Sequence, residues 1–260
     1  MTFRQTFRIR NLLLGDGYPG CSVDCDGMII PPDLDTLQAG WILSVDKPLG
    51  WTSFDVVAKV RNALKRRYGA KIKIGHAGTL DPLATGVLVL CAGRATKTIP
   101  HWVDTQKRYR AVVKLGATTA SYDAESDILP TGQPIPAWSE ALHEEVMQKF
   151  LGEIEQIPPI YSAVRVDGKR AYAEARQGKE VDMPSRRVTI FALEFVETEG
   201  DSWIVDITCS KGTYIRSLAH DLGATMGCGA YLAGLVRTHV GDFSLDESHS
   251  VQEVLDALSA

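Results

Sequence analysis

The sequence lacks the features by which several classes of protein are recognised. Its five cysteines are an odd number without regular spacing, which argues against a disulfide framework. Cys21 and Cys25 could form half of a metal site, but no second Cys or His pair stands at ligand spacing, so ordinary thiols are the better interpretation. No P-loop, HExxH, GxSxG motif or CxxC pair is present. Nucleotide-driven, redox and zinc chemistry are therefore unsupported, and we expect neither a metal nor an organic cofactor.

Long apolar runs are also absent. No stretch approaches the length needed to cross a bilayer. The N-terminal MTFRQTFRIRNLLLGDG lacks both the full hydrophobic region and the small-residue cleavage site of a signal peptide. We therefore expect a cytoplasmic protein without membrane contact. With 45% hydrophobic residues over 260 positions, the chain can bury a sizeable core.

Charge is distributed unevenly along the chain. The net charge is -4, but residues 51–110 carry a charge of +9 and residues 160–190 a charge of +3, which leaves -16 for the remainder. Such a polarised protein can attract phosphates with one face and stay soluble through the other. Solvated helix faces would give the same distribution, so charge alone leaves both interpretations open.

The order of periodic segments predicts an α+β fold with a largely antiparallel sheet, because strands and helices mix without strict alternation. Thr52 and Asp55 have capping-box spacing, as do Ser250 and Glu253. Strands are predicted at 41–45, 86–90, 108–116, 187–196 and 203–209, and helices at 53–68, 139–151, 215–226 and after Ser250.

Three segments carry weaker signals. Residues 1–40 hold turn signals and little periodicity, so we expect a loosely structured extension with a short strand near Phe7–Leu14. Residues 118–137 are predicted to be a polar loop. Residues 157–187 are rich in proline and arginine, with one short helical piece near 171–177.

The run GHAGTLDP offers the first candidate for chemistry. Asp81 lies in a glycine-rich loop before a buried strand, and Pro82 favours an extended backbone at Asp81. A carboxylate held there can act as a nucleophile or as a general base. A turn-capping role is commoner for such an aspartate, and a structural role is commonest for His76, so local chemistry favours structural roles for both.

Two further segments place cations beside aromatic rings. In KRYR, alternation puts Tyr109 on one face of a strand and Arg108 and Arg110 on the other, so that a ring can stack on a base while the charges hold phosphates. A core tyrosine on an amphipathic strand is equally consistent. In CSKGTYIR, Tyr214 and Arg216 lie in the first turn of a helix, where the arginine either pairs with a carboxylate such as Asp81 or is a surface residue.

Together these segments resemble the bacterial tRNA pseudouridine-55 synthase family, the TruB type. The matching runs occur in the family's order from about residue 41 to residue 240. The most specific of them are GHAGTLDPLATGVL and CSKGTYIRSLAHDLG. The others are VDKPLGWTS, ATK, KRYR, QIPPIYSA, ARQG and GCGAYLAGLVR.

The resemblance implies a role for each matching position. It makes Asp81 the essential aspartate, Tyr109 the tyrosine that stacks on the target uracil and is a candidate for proton abstraction, and Arg216 the arginine that pairs with the aspartate. The remaining substrate-binding positions that it implies are Lys47, which supports the loop near the active site, His76, which contacts the RNA loop, Tyr214 and Leu235, which line the pocket, and Arg108 and Arg110 of the basic strand.

The family resemblance also implies an architecture and a reaction. It implies a pseudouridine synthase domain over 41–260, with a mainly antiparallel mixed sheet flanked by helices and with residues 157–187 as an RNA-gripping thumb. Uridine in the T-loop of tRNA is flipped into a pocket, and its uracil is detached, rotated and rejoined through C5 without a cofactor. Many members continue into a PUA domain, for which no room is expected after residue 258, so we expect the catalytic domain and the thumb alone to grip the tRNA.

Three rival functions remain to be distinguished. A pure RNA-binding module would not need Asp81, Tyr109 and Arg216 together. A nucleoside hydrolase of the glycosidase kind would use two carboxylates where these motifs offer one. A guide-RNA-dependent enzyme would require partner proteins, whereas we expect a monomer without an obligate partner.

Overall fold

The computed structural model describes residues 29–137, 139–162, 165–166, 169–170 and 182–260. Its helices are α1 (Leu34–Ala39), α2 (Ser53–Tyr68), α3 (Ile99–Asp104), α4 (Glu140–Gln148), α5 (Ile215–Thr225) and α6 (Val251–Ser259). Its strands are β1 (Trp41–Lys47), β2 (Ile74–His76), β3 (Ala84–Ala92), β4 (Lys107–Leu115), β5 (Ala117–Thr118), β6 (Leu129–Pro130), β7 (Gly152–Gln156), β8 (Arg165–Val166), β9 (Lys169–Arg170), β10 (Arg186–Glu199), β11 (Ser202–Cys209), β12 (Ala230–Val240), β13 (Phe243–Ser244) and β14 (His249–Ser250).

The chain divides into two compact units. The first contains the described residues up to Thr105 together with Arg237–Ala260, and the second contains Gln106–Val236. Since β12 ends after the boundary at residue 236, its last four residues belong to the first unit.

The core of the first unit is a mixed sheet. Strand β3 pairs antiparallel with both β1 and β2, and β1 pairs in parallel with β14. Because side chains alternate along a strand, β3 contributes to a separate apolar cluster on each of its faces. This double burial explains its continuous apolar run. One cluster receives Leu88, Leu90 and Ala92, and the other receives Val87, Val89 and Cys91.

Helix α2 covers one face of this sheet and begins and ends where its sequence predicts. Thr52 and Asp55 form the predicted capping box, and Gly69 ends the helix in a left-handed conformation with a φ of 65°. Its apolar stripe packs with β1, β3 and α6 in one buried cluster. Helix α6 begins with the second predicted capping box, at Ser250 and Glu253.

Residues 29–40 differ from the loose packing expected for the N-terminal extension. They include α1, which Asp33 caps through the backbone N–H of Thr36 at 2.8 Å. Leu37 is fully buried in the same cluster as α2. The strand predicted near Phe7–Leu14 lies outside the described residues.

The sheet of the second unit is antiparallel. Strands β4, β11, β10 and β7 are neighbours in that order. Strand β10 runs to Glu199, three residues beyond its predicted end, and has two register shifts against β11. The helix predicted near 171–177 lies outside the described residues, and β8 and β9 form a short antiparallel pair.

Strands and helices therefore form an α+β fold in which the parallel pairing of β1 with β14 occurs alongside the antiparallel pairings of β1 with β3, β10 with β11, β10 with β7 and β11 with β4. The predicted fold class is confirmed. Neither α1 nor α3 was predicted, because each helix has only six residues and therefore too few for a clear apolar period.

Candidate active site

The loop that carries Asp81 is fixed on both sides in the first unit. On the N-terminal side, the Ser53 hydroxyl accepts from the Leu80 N–H at 2.8 Å and donates to the Leu80 carbonyl at 3.1 Å. On the C-terminal side, the Pro82 carbonyl accepts from the Gly50 N–H at 2.9 Å. Asp81 is half-buried, and its own carbonyl accepts from the Ala84 N–H at 3.0 Å in the turn before β3. The backbone thus holds this carboxylate at a defined place.

Lys47 supports the neighbouring loop. Its side chain is fully buried at the end of β1, and its ammonium donates to the carbonyls of Pro48 at 2.9 Å and Trp51 at 2.6 Å. A buried ammonium is costly unless hydrogen bonds replace its water shell. The Pro48 and Trp51 carbonyls supply such bonds. These bonds hold the loop in which Gly50 donates its N–H to the Pro82 carbonyl. This arrangement agrees with the loop-supporting role that the family resemblance implies.

Arg237, near the end of β12, also holds the glycine-rich loop before Asp81, although the sequence analysis did not single it out. It is 1% exposed, and its guanidinium donates to the Val87 carbonyl at 2.7 Å and the Gly78 carbonyl at 3.1 Å. It therefore ties the glycine-rich loop to β3. At Gly86, whose φ is 100°, a Cβ atom would lie 2.2 Å from the Arg237 carbonyl oxygen, so only glycine fits this close approach.

His76 lies at the end of β2, just before the same loop. Burial and the positive charge of Arg237 lower the pKa of this histidine below its ordinary value. Its imidazole is therefore neutral at pH 7. A neutral ring can accept a hydrogen bond as well as donate one, which suits contact with polar groups of a nucleotide.

Arg216 is held in the second unit by a buried carboxylate. It lies in the first turn of α5 and is 6% exposed. Its Nη1 atom donates to the Tyr161 carbonyl at 3.0 Å, the Ser121 carbonyl at 3.3 Å and Oδ2 of Asp123 at 3.3 Å. Asp123 is fully buried. The arginine is thus part of a buried ion pair and not a surface residue.

The loop around Asp123 is tightly bonded, although the sequence analysis predicted only a polar loop there. Oδ1 of Asp123 accepts from the Ser121 hydroxyl at 2.5 Å and from the Glu125 N–H at 2.9 Å. The Thr119 hydroxyl donates to the Asp123 carbonyl at 2.7 Å, and Asp123 bridges to Leu232 of β12. No local pattern identifies Asp123, because its partner Arg216 lies 93 residues further along the chain.

Tyr122 precedes this aspartate and adopts a conformation unusual for its residue type. Its φ is 62°, the one positive φ of a residue other than glycine in the described part of the chain. Its ring stacks on His220, with centroids 4.0 Å apart and planes 13° apart. The stack joins the Asp123 loop to α5, the helix that carries Arg216.

Tyr214 is fixed at the start of α5 by Gln156. The carboxamide oxygen of Gln156 accepts from the Tyr214 N–H at 2.7 Å, and its nitrogen donates to the Tyr214 carbonyl at 3.0 Å. The guanidinium carbons of Arg186 and Arg216 lie 5.0 and 6.0 Å from the Tyr214 ring centroid. The ring is therefore flanked by cations within cation–π distance.

The KRYR strand shows the predicted alternation. Arg108 and Arg110 are exposed, and Tyr109 is half-buried. The Arg110 guanidinium makes two hydrogen bonds to Asp206 of β11, at 2.8 and 2.7 Å. This pairing weakens the case for Arg110 as a phosphate ligand and leaves that for Arg108 unchanged.

Matches to protein families cover most of the chain. The model of the TruB family pseudouridylate synthase N-terminal domain matches residues 65–215, and that of the tRNA pseudouridylate synthase B C-terminal domain matches residues 216–260. The chain belongs to the TruB family.

Relatives named tRNA pseudouridine synthase B support this membership. The chain is 49% identical to that of Phocaeicola vulgatus over 83% of its own length and 92% of the relative's. It is 44% identical to that of Clostridium kluyveri over 83% of its own length and 72% of the relative's. Among solved structures, it is similar to a chain of a Cbf5–Nop10–Gar1 complex, with 31% identity and a TM-score of 0.64 over 85% of its length, and it spans about half of that longer chain (54%).

The site residues predicted for this TruB-family chain fall into two groups. Lys47, His76 and Asp81 belong to the first unit, and Tyr109, Tyr214 and Arg216 to the second. Leu235 is half-buried on β12. In the described ranges, no cluster of three or more His, Cys, Asp or Glu side chains is arranged to hold a metal ion. No helix of the described residues is long and apolar enough to span a membrane.

Proposed function

We propose that this protein converts uridine to pseudouridine in tRNA, at position 55 of the T-loop, with Asp81 as its essential carboxylate. The similarity to relatives named tRNA pseudouridine synthase B, at 49% identity over 92% of a relative's length, carries the proposal. The structure adds that the Asp81 loop is bonded through both flanking residues, Leu80 and Pro82. Such pre-organisation suits a group that must meet one atom of a flipped nucleotide.

The reaction is an isomerisation and needs no oxidant or reductant. The bond between N1 and C1′ breaks, the uracil rotates, and a bond forms between C5 and C1′. C5 then loses its proton, and N1 ends with one. Asp81 has two possible roles in this sequence. Its carboxylate attacks C1′ as the uracil leaves and is displaced when C5 bonds to C1′, or it helps to remove a proton from C2′ to give a glycal, and that proton returns to C2′ when C5 bonds to C1′.

Tyr109 and Arg216 are the proposed partners of Asp81. Tyr109 stacks on the uracil and is the candidate that takes the C5 proton, since it lies half-buried on a strand with exposed arginines on the other face. Arg216 is the arginine that the family resemblance pairs with the catalytic carboxylate. Its buried ion pair with Asp123 holds the guanidinium in one position within the second unit.

The other proposed substrate contacts are those that the family resemblance implies. Tyr214 and Leu235 line the pocket, and Lys47 holds the loop next to Asp81. His76 contacts the RNA loop in its neutral form. Arg108 holds phosphates, and Arg110 contributes less because Asp206 already pairs with it. We also propose that the enzyme acts in the cytoplasm as a monomer, with no protein partner.

Pseudouridine mapping of a T-arm transcript tests the proposal. We expect the wild type, without guide RNA or partner proteins, to form pseudouridine at the predicted position. Asp81→Asn should form none. Asp242→Asn, which changes an exposed acid of the same unit, serves as the matched control and should retain activity. Absence of product with the wild type would refute the substrate assignment, and an active Asp81→Asn would refute the catalytic one.

The same reactions separate the rival functions. A nucleoside hydrolase would release free uracil and leave an abasic site. A pure RNA-binding module would bind the transcript without product. A guide-dependent enzyme would become active only when guide RNA and partner proteins are added.

A further inference from the structure

Two large apolar side chains flank the start of α2: Leu49 lies in the loop before the helix, and Phe54 is its second residue. Leu49 is 67% exposed and Phe54 is 62% exposed, the highest values among the large apolar residues of the described chain. Exposed apolar side chains close together on a surface often mark a contact site. The positions of these two residues indicate which contact they serve.

The segment that contains Leu49 and Phe54 is bonded directly to the Asp81 loop. Gly50, next to Leu49, donates its N–H to the Pro82 carbonyl at 2.9 Å. Ser53, next to Phe54, exchanges two hydrogen bonds with the backbone of Leu80. Both apolar side chains are therefore anchored one residue away from the backbone that flanks Asp81. Leu49 and Phe54 thus lie in the segment that holds the Asp81 loop.

Phe54 is also the first residue of a stripe along α2 that contains two basic side chains. Positions separated by three or four residues share one face of a helix, and the stripe runs through Phe54, Ala58, Arg61 and Lys65. The guanidinium carbon of Arg61 lies 5.7 Å from the centre of the Phe54 ring. The one acidic residue of α2 is Asp55, whose carboxylate is engaged in the capping box with Thr52. The stripe thus combines an open aromatic ring with positive charge.

We propose that Phe54 stacks on an unpaired base next to the nucleotide that Asp81 processes, while Arg61 and Lys65 contact the phosphates that follow. The inference rests on the proposed function for the identity of the RNA. Aromatic rings bind unpaired bases by stacking, and arginine adds a cation–π contribution. Positive charge on the same face favours a polyanion over a protein partner. Leu49 adds apolar surface at the other end of the segment.

Binding of a T-arm hairpin and of a blunt duplex with the same stem but no loop tests the proposal. Phe54→Ala should weaken hairpin binding by roughly 5- to 100-fold, as expected for one stacked base, and leave duplex binding unchanged. Phe54→Trp should restore the hairpin affinity to within about threefold, because the larger ring also stacks. In steady-state assays, Phe54→Ala should raise KM with little change in kcat.

Phe191→Ala is the matched control, because Phe191 is 53% exposed on β10 and is also a surface phenylalanine. It should not alter hairpin binding. Arg61→Gln should reduce the slope of log Kd against log salt concentration by about 0.7 to 0.9, the value for one phosphate contact. Thermal unfolding should be alike for all variants, since none of the changes is in the core.

Three outcomes would overturn the inference. In the first, Phe54→Ala changes hairpin affinity no more than Phe191→Ala does. In the second, Phe54→Ala weakens the binding of hairpin and duplex equally. In the third, Phe54→Ala abolishes a dimer formed by the wild type without changing the affinity for RNA. The last outcome would make the surface a protein interface. Because the affinities are measured without turnover, a wild type that binds the hairpin but forms no pseudouridine would refute the proposed function and leave this test intact.

Discussion

Replacing Asp123 by asparagine tests the buried ion pair that holds Arg216. The carboxamide keeps the size of the side chain and can still accept from Ser121 and Glu125 with its oxygen. Its NH₂ group then faces Nη1 of Arg216, which is also a donor. The substitution therefore removes the negative charge and replaces an attraction by a donor–donor contact.

The magnitude follows from burial and distance. Asp123 is fully buried, Arg216 is 6% exposed, and the charged atoms are 3.3 Å apart. At an effective dielectric constant of about 20, the attraction is about 5 kcal/mol before desolvation is counted. Removal of one partner from a buried pair typically costs about 3–5 kcal/mol. We expect Asp123→Asn to lower the free energy of unfolding by about 3 kcal/mol and kcat by about 100-fold, because displacement of Arg216 disturbs the catalytic geometry.

Asp206→Asn provides the matched control. It breaks the pair of Asp206 with Arg110, whose side chains are 38% and 52% exposed, so a cost of only about 0.2–1 kcal/mol is expected. Urea denaturation measures the stability of both variants, and single-turnover pseudouridine formation measures the chemical step. Equal losses of stability in the two variants would refute the claim that burial makes the Asp123 pair strong. Full activity of a folded Asp123→Asn would refute its role in holding Arg216.

Three further substitutions test other contacts. Tyr122→Ala should destabilise the protein by about 1 kcal/mol more than Tyr122→Gly in urea denaturation, because glycine accepts a φ of 62° without strain; the usual order, with glycine the more costly, would contradict this. Lys47→Met should speed hydrogen exchange of the Gly50 amide at least tenfold, because the Pro48 and Trp51 carbonyls lose their donor, and unchanged exchange would contradict that role. Burial raises the pKa of Asp221 from 3.8 to about 6, so the folded state keeps a proton that the unfolded state releases, and stability falls as the pH rises from about 4 to about 6. Asp221→Asn should therefore stabilise the protein by about 1–2 kcal/mol near pH 7.5, a figure reduced for partial exposure, and the gain should vanish below about pH 4; a gain independent of pH would contradict the assignment.

Local signals account for the elements that could be predicted. Helix α2 has a capping box, and apolar residues recur at helical spacing over its 16 residues, so its sequence alone defines its ends. Strand β3 is recognisable by its continuous apolar run, and β4 by its alternation. In each case, the residues that identify the element are neighbours in the sequence.

The contacts that complete the candidate site have no such local signal. Asp123 and Arg216 are 93 residues apart, and Arg237 reaches Val87 across 150 residues. Position 86 must be glycine because the Arg237 backbone lies too close for a Cβ atom, and no sequence pattern around residue 86 reveals this. The family resemblance predicts functional roles for Asp81, Tyr109 and Arg216, whereas only tertiary contacts identify the residues that hold them.

The burial of Lys47 has a practical consequence for chemical footprinting. Reagents that acylate amines modify exposed lysines, but Lys47 is fully buried and Lys107 is 5% exposed. Both should resist labelling while the protein is folded, whereas exposed lysines such as Lys65 should react and become protected where RNA covers them. The modification of Lys47 and Lys107 therefore gives an internal check, within the same digest, that a protection pattern was recorded on intact protein.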